Sequence, residues 1–174
     1  MQFSVALIAS FVALAIAAPI EAPLAKRVGI LSTKTYDEIS ISGGTAGDAQ
    51  AEAIAALTNN GAIDINDLSN VDAADIAFWG SVNNIGNDAE KGAFNPAIEA
   101  ATGDEKRALT NGKIKNKVLK LEATILELGA QAAQGEDTAA KMAAEQKKLD
   151  KNIALDKKAA GQPSTALTFD ASTD

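Results

Sequence analysis

The sequence predicts a mainly α fold: a bundle of four or five helices with a small two-stranded β ribbon joining the termini. Three observations predict it. Apolar residues recur at spacings of three and four over most of the chain, the period of one face of a helix. Gly, Asn and Pro punctuate those stretches at intervals that suit helix ends. Short runs near both ends alternate polar and apolar residues instead, the period of a strand.

Taken in order, Tyr36–Ser42 (YDEISIS) alternates at Ile39 and Ile41 and is stopped by Gly43-Gly44. Thr165–Phe169 alternates after Pro163 and places Leu167 and Phe169 on one face. A lone strand leaves its backbone groups unpaired, so these two segments are expected to pair as the ribbon. Between them, Ala46, Ala49, Ala53 and Leu57 predict a helix over Thr45–Leu57, ended by Asn59-Asn60-Gly61. Asn70 or Asp72 can cap a helix running to about Ile85, with Ile76, Phe78, Trp79, Val82 and Ile85 on its apolar side, broken at Gly86-Asn87. A further helix is expected over Asp88–Ala101, with a kink or break near Phe94 because Pro96 lacks an N–H. Ile114, Val118, Leu121, Ile125 and Leu128 form the clearest helical stripe. A last helix over Glu136–Ala160 carries Ala139, Met142, Leu149 and Ile153, mixes charges on its outer face, and ends at Gly161 and Pro163. The short connection between these last two favours an antiparallel hairpin.

The first residues carry an address. Phe3–Ala18 is an uncharged apolar run ending in small residues. It is too short to span a bilayer but suits a signal peptide cut after Ala17 or Ala18. Pro19–Arg27 (PIEAPLAKR) reads as a short extended propeptide. It closes on the dibasic pair Lys26-Arg27, a site of the kind that kexin-type processing proteases cut. The expected organisation is therefore a signal peptide over 1–18, a propeptide over 19–27 and a single helical domain over 28–174. Loss of Lys26, Arg27 and Glu21 takes the net charge from -7 to -8. The expected location is extracellular.

Composition removes several chemistries. The chain has no Cys and no His. Disulfides, thiol nucleophiles, Cys/His zinc sites and Ser-His-Asp triads are excluded. The net charge of -7 disfavours nucleic acid as a partner. No later segment is apolar enough for a transmembrane helix, so an integral membrane protein is not expected. Neither a cofactor nor a catalytic residue is assigned. The loop Gly43–Gly47 could hold an anion, but it matches neither phosphate-binding glycine pattern and reads as a turn. Asp64, Asn66, Asp67, Asp72 and Asp75 could offer oxygens to calcium, but they break the calcium-loop pattern. They read as caps and solvated acids, and no metal site is assigned. Two candidate docking features remain. Lys113, Lys117 and Lys120 share a helix face while Lys115 points elsewhere, which suits an acidic partner or plain solvation. Trp79, beside Phe78, suits an exposed anchor or core packing.

The segments Tyr36–Asp48 (YDEISISGGTAGD), Phe94–Gly103 (FNPAIEAATG) and Asn111–Leu121 (NGKIKNKVLKL) resemble the cysteine-free small secreted proteins of filamentous fungi, some of them effector-like. The likeness covers nearly all of residues 1–174. It implies secretion and a role at a host interface, and it implies no activity and no functional residue. Three functions are consistent with the sequence: a non-enzymatic interaction protein with an unknown protein or cell-wall partner, a binder of apolar ligands or hydrophobic surfaces, and a hydrolase working with carboxylates alone.

Overall fold

The computed structural model describes residues 29–174. The signal and propeptide expectations, with Ala17, Ala18, Lys26 and Arg27, lie outside the described residues. The fold is mainly helical. A single turn α1 (Tyr36–Ile39) precedes α2 (Ala49–Leu57) and α3 (Ala73–Ala89). A π-helical segment, Glu90–Phe94, joins α3 to α4 (Asn95–Ala100). The long α5 (Gly103–Ala133) and α6 (Ala139–Lys158) complete the bundle.

The expected β ribbon does not form; no strand occurs among the described residues. A capping box decides the N-terminal half. Thr35 Oγ1 accepts the Glu38 N–H at 3.3 Å, and the Glu38 carboxylate accepts the Thr35 N–H at 2.7 Å. This reciprocal pair starts a helical turn at Tyr36 and outweighs an alternation resting on only Ile39 and Ile41. The C-terminal segment runs extended and ties down through two isolated bridges, Thr35 with Ser172 and Thr45 with Pro163. Pro163 has no N–H to extend a ladder. The two ends of the domain still meet: Tyr36 N–H donates to Ala171 O at 2.8 Å, and Thr173 N–H to Lys34 O at 2.9 Å.

α3 also runs past its expected stop. Gly86-Asn87 does not break it, because Gly86 lies where α3 presses on α5. A Cβ there would stand 3.0 Å from the Lys120 Cβ. The glycine answers a close helix approach rather than a turn. The expected disruption before Pro96 takes the form of the π segment, in which Asn95 N–H donates to Glu90 O. One extra residue in that turn accommodates a ring that cannot donate at position 96.

α5 is the axis of the bundle, packed against α2, α3, α4 and α6. The tight connection after Ala133 folds α6 back on α5, where Thr138 Oγ1 donates to Leu128 O at 3.1 Å. Leu57, Trp79, Val82, Phe94, Leu119 and Leu149 fill the interior. Ala49, Ala53, Ala89 and Ala123 let the helices approach closely. Neighbouring elements supply helix ends with partners. Asp156 of α6 accepts the Ala49 N–H at the start of α2, at 2.9 Å. Trp79 Nε1 donates to the Leu57 carbonyl at its end, also at 2.9 Å. Groups that a helix terminus leaves unpaired are thereby satisfied from across the core. Gly112 opens a crossing point for the C-terminal segment: a Cβ there would overlap the Thr165 carbonyl oxygen, and Thr165 N–H donates to Ala108 O at 3.0 Å. No described helix is long and apolar enough to cross a membrane.

Candidate functional site

The structure turns two lysines of α5, Lys115 and Lys120, inward. Lys115 is 1% exposed. Its ammonium donates to Gly43 O at 2.8 Å and Thr45 O at 3.0 Å, and it pairs with Glu52 of α2 at 2.8 Å. The Gly43–Gly47 loop thus turns carbonyls toward an internal cation, the opposite of an anion cradle. Lys120 is 9% exposed. It donates to Glu90 Oε2 and Asn87 Oδ1, each at 2.6 Å. Lys117 reaches the other Glu90 oxygen at 3.2 Å, and Lys113 donates to Asn95 Oδ1 at 3.1 Å. Of the expected docking face, Lys117 and Lys113 remain partly exposed and Lys120 is enclosed. Burial alone would raise the Glu90 carboxyl, but the hydrogen bond and charge of Lys120, with Lys117 beside it, hold it below the usual carboxylate range.

Trp79 is 0% exposed and anchors the core, so it offers no surface to a partner. A polar seam links α1, α3 and α5. Tyr36 OH donates to Asn116 Oδ1 at 2.9 Å, and Asn116 Nδ2 donates to Gly86 O at 2.9 Å. Asn83 Nδ2 donates to Thr124 Oγ1 at 2.7 Å. Such satisfied seams fix the register of helices whose small apolar residues alone would allow sliding.

Glu122 is the contrasting group. It lies on α5 and is 6% exposed, and its Oε2 has no hydrogen-bond partner. Burial pushes its carboxyl up to about 6, against a small opposing hydrogen bond from Gln50 of α2. It shares a face of α5 with Lys115, but that ammonium is committed to Glu52 and the loop carbonyls. Sequence reading missed it because the charge of Glu122 masks its place among Leu121, Ala123 and Leu126.

The acids of the Asp64–Asp75 stretch are each engaged by backbone N–H groups. Asp64 accepts the Asn66 N–H, Asp67 the Ser69 N–H and Asp72 the Ala74 N–H. Asp75 accepts the N–H groups of Ile30 and Leu31 at 3.0 and 2.8 Å. Among the described residues, no group of three acids converges to hold a metal ion.

Two surface features remain. One is an open groove of about 660 Å³ between the start of α5 and the segment after α6. Ala108, Ala159 and Pro163 contribute its apolar part, with Lys106, Arg107 and Thr110 beside them. The other is the outward face of α6. Lys147, Lys151 and Lys158 are exposed there, and Lys141 and Lys157 are exposed on its flanks. Among the described residues they have no ion-pair partner, whereas Lys148 pairs with Glu145. Their signal was present in the sequence: Lys147, Lys151 and Lys158 fall at i, i+4 and i+11, one side of a helix.

No curated protein and no solved structure matches the chain. A family profile does match, over residues 31–168, from just before α1 through α6 to the extended C-terminal segment. By that match the chain belongs to the family described as a domain of unknown function, DUF8454.

Proposed function

We propose that this is a secreted, non-enzymatic interaction protein with an effector-like role at a host or cell-wall interface. The observation that carries the reading is the division of its cations. Lys115 and Lys120 of α5 are spent on internal ties, while Lys147, Lys151 and Lys158 of α6 stand free on one outward face. Free, aligned charges of this kind serve recognition better than folding. The leading apolar run and the dibasic pair at Lys26-Arg27 supply the route out of the cell. A carboxylate hydrolase needs two acids facing a shared cleft. Glu122, whose carboxyl burial raises to about 6, does not line the groove at the start of α5.

The test is recovery of the chain from culture medium of a filamentous fungus expressing it. N-terminal sequencing is expected to give a start at Val28, and the processed chain is expected to bind intact walls or host surfaces. Intact chain retained inside cells would overturn the reading. A second reading, a binder of apolar ligands, draws on the Ala108, Ala159 and Pro163 part of the groove. Thermal stabilisation by fatty acids or other lipids would favour it.

A further inference from the structure

The charge of the molecule is divided unequally. α6 carries six lysines against Glu145, Asp150 and the buried Asp156. Elsewhere in residues 29–174, eight basic side chains stand against nineteen acidic ones. A net positive helix is thus mounted on a strongly negative body. Lys157 and Lys158 lie in the last turn of α6, where they complement the helix dipole. That account does not reach Lys147 and Lys151. They sit mid-helix, four residues apart, and repel one another at a small cost to the helix. From Lys141 to Lys158 the charges extend over about 26 Å at 1.5 Å per residue.

The residues between these lysines narrow the partner. Ala143, Ala144, Ala154 and Leu155 are the exposed apolar groups there. The face has no aromatic ring for a base to stack on, and only Leu155 to insert into a lipid surface. Lysines are point charges rather than the planar forks that grip a single phosphate. The negative body would be repelled by any broad anionic sheet, whereas a linear chain can touch α6 alone.

We propose that the outward face of α6 docks a linear acidic polysaccharide, a polyuronate, along Lys147, Lys151 and Lys158. The inference rests on the extracellular reading above. Binding through dispersed charges is salt-sensitive.

The experiment measures retention of Val28–Asp174 on immobilised polygalacturonate. Retention is expected at about 20 mM salt, with release by about 300 mM. The triple variant K147E/K151E/K158E is expected to bind about tenfold more weakly or worse. The matched variant K34E/K91E/K106E makes the same change in net charge away from α6 and is expected to bind within about twofold of the parent. Circular dichroism and melting temperature confirm that both variants fold. Equal loss in both variants, or no retention of the parent, overturns the proposal. So does equal or tighter binding to phosphatidylserine vesicles or duplex DNA. The start residue of the secreted chain is read separately, so failure here leaves the secretion reading standing on its own test.

Discussion

Replacing Glu122 by Gln isolates the cost of a buried charge in this bundle. The carboxyl sits at about 6 in the folded chain against an ordinary 4.5, because burial disfavours its charged form. That difference, at about 1.4 kcal/mol per unit, amounts to about 2 kcal/mol. Because the folded-state value is raised, the stability contribution is fully present below pH 4.5 and is lost as pH rises through 6. Above that range the folded chain holds an ionised Glu122 with one oxygen unpaired. Gln keeps the shape, removes the charge and can still accept from Gln50. E122Q is therefore expected to gain about 2 kcal/mol at pH 7.5, a rise in melting temperature of about 5 °C, and almost nothing at pH 4. The assay is calorimetry of both proteins across that range, read as the difference in melting temperature at each pH. Glu90 has the opposite sign, its stabilisation fading as pH falls, but it is common to both proteins and cancels. A difference that is flat with pH, or a loss of stability at pH 7.5, would refute the reasoning.

Further outcomes follow from the same contacts. Lys115→Ala strands the Gly43 and Thr45 carbonyls and the Glu52 carboxylate. It is expected to cost about 3 kcal/mol or more, seen as a lower urea midpoint. Gly112→Ala is expected to lift the C-terminal segment off α5, because its methyl group would overlap the Thr165 carbonyl. Limited proteolysis would then cut after Ala160 at rates the parent chain does not show. Trp79, the only tryptophan, is expected to fluoresce at short wavelength and to resist acrylamide quenching. A long-wavelength, quenchable signal would place it at the surface.

The helices were legible where period and punctuation agreed. Asp72 caps α3 as expected, and Asn59, Asn60 and Gly61 all take positive φ after α2. Val118, Leu121 and Leu128 fall in the interior as their spacing predicts. What failed depended on partners distant in sequence or on a stronger local signal beside the pattern. Gly86 reads as a stop until α5 is seen lying against it. Tyr36–Ser42 reads as a strand by its alternation, but Thr35 and Glu38, at a three-residue spacing, are the stronger local signal. The lysines are the instructive case. Helical spacing correctly groups Lys113, Lys117 and Lys120, but not that Glu90 waits opposite two of them. A charge read from sequence is a surface charge only if no counter-charge folds onto it. Trp79 illustrates the same limit, since adjacent Phe78 and Trp79 of α3 both find room inside.

Lys115 and Lys120 are bound inside, whereas the exposed lysines of α6 are free apart from Lys148. Amine labelling with an acetylating reagent, followed by mass spectrometry of the folded chain, reads this directly. Lys141, Lys147, Lys151, Lys157 and Lys158 are expected to react at the rate of free lysine, while Lys115 and Lys120 stay protected until the chain unfolds. Rapid labelling of Lys115 and Lys120 in the native protein, or protection along α6, would contradict it.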